Sequence, residues 1–153
     1  VVCVKYMSPY KTEYTDWRAG LNVPVLRYSD VLLIAAEAIM NLNGGGPSNR
    51  ATGIAAAAAP FNLVRVRAGL APITAPTFND LMYERRMELA FEGGDRHFDL
   101  VRWELAESIY NALPAEGTYK PVRSYIPSRH RLLPYPQGEI DNSNGSIKQN
   151  PNY

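Results

Sequence analysis

The sequence predicts a mainly α-helical chain, with helical hairpins followed by an irregular, proline-rich C-terminal segment. Three observations carry this. Apolar residues recur at three- and four-residue steps between Arg27 and about Asn111, the period of amphipathic helices. Proline, which suits no helix interior, is absent between Phe78 and Leu113, whereas six of the 12 prolines lie between Pro114 and Pro151. Glycines at 44–46, 69 and 93–94 stand where helical stretches must stop. At 153 residues the length fits one domain able to bury a core.

Residues 1–7 (VVCVKYM) are β-branched and half alternating, which reads as a short strand holding Cys3. Residues 8–24 form a polar and aromatic loop. The first helix starts at Arg27, with Tyr28, Val31, Leu32, Ala35, Ala38, Ile39 and Leu42 as its apolar face and Ser29 or an upstream residue as cap. Asn43-Gly44-Gly45-Gly46-Pro47 ends it. A second helix runs through the alanine-rich stretch to Arg67-Ala68 and stops at Gly69, with a kink or a split at Pro60. Thr77-Phe78-Asn79-Asp80 is an N-terminal cap signature, opening a third helix to about Phe91. A fourth spans His97 to about Asn111, with Phe98, Val101, Leu105 and Ile109 on one face and Trp103 in the core. The expected organisation is therefore strand and loop over 1–26, helical hairpins over 27–112, and turns with short extended pieces over 113–153.

The formal charge of +1 provides no global field for nucleic acid or an anionic membrane, and no nucleic-acid partner is expected. A single cysteine excludes an internal disulfide framework. The histidines, His97 and His130, fit no metal-ligand spacing, so neither a metal nor a cofactor is expected. Asp141-Asn142-Ser143-Asn144-Gly145 has its glycine one position early for a calcium loop and reads as a polar turn. Arg129-His130-Arg131, with Tyr125 and Tyr135 nearby, is a weak candidate for a base-stacking patch.

Charge is unevenly placed. Residues 78–107 hold eight acids against four arginines, between basic flanks. Glu84, Glu88 and Glu92 lie at i, i+4 and i+8, stacking carboxylates on one face. Twelve of the 16 basic residues are arginine, the side chain suited to bidentate ion pairs. Arg65, Arg67, Arg85, Arg86, Arg96 and Arg102 are near enough in sequence to neutralise the stripe. Two readings stand: an ion-pair ladder locking helices together, which the arginine surplus favours, and paired carboxylates for glycoside hydrolysis.

Four stretches stand out: Val25-Leu26-Arg27-Tyr28-Ser29-Asp30-Val31-Leu32-Leu33-Ile34-Ala35-Ala36-Glu37-Ala38; Phe61-Asn62-Leu63-Val64-Arg65-Val66-Arg67-Ala68-Gly69-Leu70; Glu84-Arg85-Arg86-Met87-Glu88-Leu89-Ala90-Phe91-Glu92-Gly93 with Arg96, Asp99-Leu100 and Arg102-Trp103; and Leu133-Pro134-Tyr135-Pro136-Gln137-Gly138-Glu139-Ile140, closing with Gln149-Asn150-Pro151-Asn152-Tyr153. Taken together they resemble the SusD/RagB family, the surface glycan-binding lipoproteins of Bacteroidetes. Pro60 and the Gly/Ala tracts depart from the family pattern.

The resemblance implies tetratricopeptide-like helical hairpins in an α-α superhelix. It also implies a generally non-enzymatic role: capture of an oligosaccharide or peptide for a SusC-like, TonB-dependent outer-membrane transporter. Family members are longer, so this chain corresponds to a C-terminal portion. A lipid anchor and the N-terminal portion of the same protein would then lie upstream. In such a fold Arg27, Asp30 and Glu37 join Arg65, Arg67, Glu84, Arg85, Glu88, Glu92, Arg96 and Asp99 as a structural ion network. Sugar rings stack on aromatic faces while their hydroxyls seek planar polar groups, and Tyr14, Asp16, Trp17 and Arg18 supply both within one loop. Two rival functions remain: a glycan-acting hydrolase using Glu84, Glu88 and Glu92, and a purely structural helical interaction module.

Overall fold

The structure is a computed structural model, and it describes residues 24–93, 95–113 and 124–153. The expected strand with Cys3 and the loop with Tyr14, Asp16, Trp17 and Arg18 lie outside the described residues. The chain divides into two compact units, Val1–Arg96 and His97–Tyr153.

In the first unit, α1 (Tyr28–Leu42) packs against α2 (Ala58–Arg67) and α3 (Phe78–Glu88). α1 and α2 form the first expected hairpin. Its centre is made by Leu33, Ala36 and Met40 of α1, Phe61 and Val64 of α2, and Phe78 and Leu81 of α3, all essentially excluded from solvent.

The face of α1 differs from the expected one. Tyr28, Val31, Ala38 and Leu42 are exposed, while Ser29, Leu33, Ala36, Glu37 and Met40 point inward. Because α1 is apolar almost all round, periodicity selects no unique face. Its N-cap position is Arg27, with no side-chain cap. Ser29 sits inside the helix, where its hydroxyl meets the Arg27 guanidinium.

Glycine performs two separate tasks after α1. Gly44, at φ +78°, takes the left-handed position, and the Gly44 and Gly45 N–H groups return to the carbonyls of Asn41 and Met40. This is the double bond of a Schellman stop. At Gly45 an added Cβ would stand 2.7 Å from Ile54 Cγ1, so that position demands closeness instead. Gly69 and Leu70 repeat the stop after α2, bonding back to Val66 and Arg65.

The expected fault at Pro60 is a split upstream of it. A 3-10 turn, Ala55–Ala57, precedes α2 and leaves Pro60 in the helix's first turn. The missing N–H is harmless there. The α2–α3 loop is gripped by Asn62, whose amide donates to the Ile73 carbonyl (2.9 Å) and whose oxygen accepts the Ile73 N–H (2.8 Å). α3 opens on the anticipated capping box, Thr77 with Asp80, and ends at Glu88 rather than Phe91.

The expected fourth helix is two helices, α4 (Asp95–Arg102) and α5 (Ala106–Asn111). Between them Glu104 has φ +59°, and the Glu104 and Leu105 N–H groups bond to Val101 and Leu100, a Schellman stop without glycine. The break turns the apolar stripe: Leu100, Trp103, Leu105 and Ala106 are buried, and Phe98 is exposed.

The C-terminal segment contains short helices, α6 (Pro127–His130) and α7 (Gln137–Asn142), and no strand among the described residues. The extended pieces expected there are instead held by side-chain bonds. Gln149 pairs with the Tyr135 backbone in both directions, Asn150 donates to Leu133, Asn152 to Ser128, and the Tyr153 hydroxyl to Leu132. These bonds give the closing Gln-Asn-Pro-Asn-Tyr motif its physical purpose.

Candidate functional site: a guanidinium–carboxylate cluster and a separate cavity

The charged stripe becomes a cluster in the first unit. Arg27, at the start of α1, reaches the end of α3. Its Nε donates to Glu92 (2.7 Å), its Nη1 meets the Glu88 carboxylate, and its Nη2 donates to the Glu88 backbone carbonyl. A cation there also satisfies an orphan carbonyl and complements the helix dipole. Arg67 meets the same Glu88 carboxylate from α2. One turn earlier Arg65 pairs with Glu84 (2.7 Å), and Arg85 pairs with Asp30 of α1 (2.7 Å). Arg96 donates to the Met82 carbonyl, and Glu37 is buried on the inward face of α1. Arg86 is exposed. In the second unit Asp99 is buried and pairs with Arg102 (2.8 Å), whose guanidinium also lies 4.8 Å from the Trp103 ring centre.

Each carboxylate of the 84/88/92 stripe therefore faces a guanidinium. Burial pushes the Glu88 carboxyl up, but hydrogen bonds and charge from Arg27 and Arg67 outweigh it and hold the group below the ordinary carboxylate range. The same pairs raise Arg27 against the opposing effect of its burial. A depressed folded-state value fixes the sign of the pH dependence. The Glu88 contribution is complete above the unfolded carboxylate value of about 4.3 and is lost as pH falls through the lower folded value. Thermal melts should decline in that acid window, and less steeply in Glu88→Gln. Identical acid slopes for the two proteins would contradict the assignment.

The second unit contains a different arrangement. Tyr125 is fixed by Asn111, which accepts its N–H (2.8 Å) and donates to its carbonyl (3.3 Å). Around its ring stand His97, Tyr110 and His130, with centroids 6.5, 5.6 and 5.6 Å away. His130 Nδ1 accepts the Ile126 N–H (2.8 Å), and the Arg129 guanidinium sits 4.9 Å from the Tyr153 ring centre. Arg129 thus faces Tyr153, whereas His130 stands against Tyr125. Arg131 instead joins Tyr125, Glu104 and Glu107 on the wall of a cavity of about 230 Å³, whose apolar lining is Val101, Ala106 and Pro127. Sequence reasoning missed this set, since nothing local announces a left-handed Glu104.

No group of three or more potential metal ligands is found among the described residues. Nor is any described helix long and apolar enough to cross a membrane.

Helices braced by arginine–carboxylate pairs, with a tail zipped by side-chain amides, form a helical scaffold. The SusD family model matches residues 1–153, and the chain belongs to this family. It is 29% identical over 149 residues to SusD-like protein P2 of Formosa agariphila, an alignment spanning 88% of this chain and 26% of that protein. Among solved structures it is similar to surface glycan-binding protein A from Bacteroides thetaiotaomicron, with TM-score 0.66 and 36% identity over 86% of this chain and 25% of that one. The corresponding protein from Bacteroides uniformis gives TM-score 0.63 and 34% identity, covering 84% of this chain and 27% of that one. The chain thus spans about a quarter of the length of these relatives.

Proposed function

We propose that this chain is the C-terminal scaffold of a non-catalytic glycan-binding component of an outer-membrane, TonB-dependent uptake complex. Its partners are a SusC-like transporter, an oligosaccharide or peptide ligand, and the N-terminal portion of the same protein, which carries a lipid anchor at the cell surface. The observation that supports this reading is the family match over residues 1–153, joined to the likeness to two surface glycan-binding proteins. The apolar outer faces fit a scaffold. Tyr28, Val31 and Leu42 of α1, with Leu63 and Val66 of α2, are exposed, and a helix apolar on both sides belongs inside a larger assembly. Within this reading Trp17 stacks on a sugar ring while Tyr14, Asp16 and Arg18 bond its hydroxyls.

The hydrolase alternative is not favoured. A general acid needs a raised carboxyl, and Glu88 is held down by Arg27 and Arg67. Full-length protein run through native gels containing neutral polysaccharides should be retarded and release no oligosaccharide. Released oligosaccharide would support the enzyme. Co-purification with a transporter without retardation would support the interaction module.

A further inference from the structure

The cavity in the second unit differs in one respect from the cluster in the first: its charges are uncommitted. Glu84, Glu88 and Glu92 each face a guanidinium. By contrast, no hydrogen bond or ion pair among the described residues engages the side chains of Glu104, Glu107 or Arg131, although all three line one cavity. Nor does any hydrogen bond among the described residues engage the Tyr125 hydroxyl on the same wall. The backbone at Glu104 is left-handed (φ +59°), a conformation costly for a side chain with a Cβ, and such outliers gather at binding sites.

We propose that this cavity is a binding subsite for a single neutral sugar ring. Its size fits: about 230 Å³ lies below the roughly 300–1,000 Å³ of pockets for drug-sized ligands and suits one ring. Its chemistry selects further. Glu104 and Glu107 accept from neighbouring ring hydroxyls, Arg131 donates to a hydroxyl or ring oxygen, and Val101, Ala106, Pro127 and the Tyr125 ring take the C–H surface. Two carboxylates against one guanidinium give the wall a net negative charge. A sulfated or uronate ring therefore meets like charge that Arg131 cannot offset. A neutral polyhydroxyl ring uses both signs at once. The inference rests on the glycan-binding reading above but concerns a site apart from the Trp17 loop.

The test is calorimetric titration of the full-length protein with cello-, malto- and xylo-oligosaccharides, and with oligogalacturonate as the anionic probe. Wild type is compared with Glu107→Gln and, separately, Arg131→Ala. Both side chains are exposed and make no bond among the described residues, so melting temperatures should match wild type and serve as the folding control. The expected result is that each variant weakens one class of neutral-oligosaccharide sites about tenfold. Oligogalacturonate should fail to occupy those sites, and a soaked crystal should show a ring against Glu107 and Arg131. Superimposable titrations of variants and wild type would overturn the subsite while leaving the glycan-binding reading intact. Oligogalacturonate binding there more tightly than the neutral probes would overturn its selectivity. Absence of binding to every probe would overturn both.

Discussion

Arg27→Ala is expected to destabilise the full-length protein by about 3 kcal/mol, read as a lowered unfolding midpoint. The loss comes less from the pairs themselves than from what they leave behind. Glu88 and Glu92 keep only 9% and 8% of their side-chain surface exposed, so Arg27→Ala takes a guanidinium away from two buried carboxylates at once. Glu88 retains Arg67, which sets the effect at the low end for a broken buried pair. The α3 carbonyl at Glu88 also loses its donor. Arg27→Lys should recover part of the loss, since an ammonium keeps the charge but cannot serve Glu88, Glu92 and the carbonyl together. Were both variants to melt with wild type, the cluster would be decoration.

Phe61→Ala should produce the largest single effect, about 3–5 kcal/mol. Phe61 is completely excluded from solvent at the centre of the first unit, and the Arg65 guanidinium lies 5.8 Å from its ring centre. Truncation therefore opens a cavity and removes the surface along which Arg65 reaches Glu84. Phe91→Ala is the internal control: that ring is 77% exposed, and its loss should change stability by about 0.5 kcal/mol or less. Urea unfolding with an unchanged m-value measures both. A Phe61→Ala midpoint close to wild type would mean the core has been misplaced.

What the sequence revealed depended on how local the cause was. The capping box at Thr77 and Asp80 and the stops at Gly44 and Gly69 are fixed by neighbouring residues, and were legible. The inward face of α1 was not, because Leu32-Leu33-Ile34-Ala35-Ala36 is apolar on every side and only packing decides. The split between α4 and α5 escaped because its left-handed residue is Glu104 rather than glycine. The carboxylate stripe was visible by spacing, and so was the surplus of arginines. Which arginine meets which acid was not, since Arg27 and Glu88 are 61 residues apart. Tyr125 and Arg131 stood out together in the sequence, but joining them to Glu104 and Glu107 depends on the same kind of longer-range placement, which sequence does not show. The loop residues Tyr14, Asp16, Trp17 and Arg18 lie outside the described residues and stand as a proposal.

In the function proposed above, the arginine–carboxylate cluster holds a binding scaffold together and performs no chemistry. The most direct measurement sets full-length wild type beside Glu88→Gln, following glycan retardation, released product and melting temperature in parallel. A lowered melting temperature for Glu88→Gln, unchanged retardation well below that melt, and no product from either protein are the expected outcome. Product released by wild type and lost in Glu88→Gln at an unchanged melting temperature would contradict it.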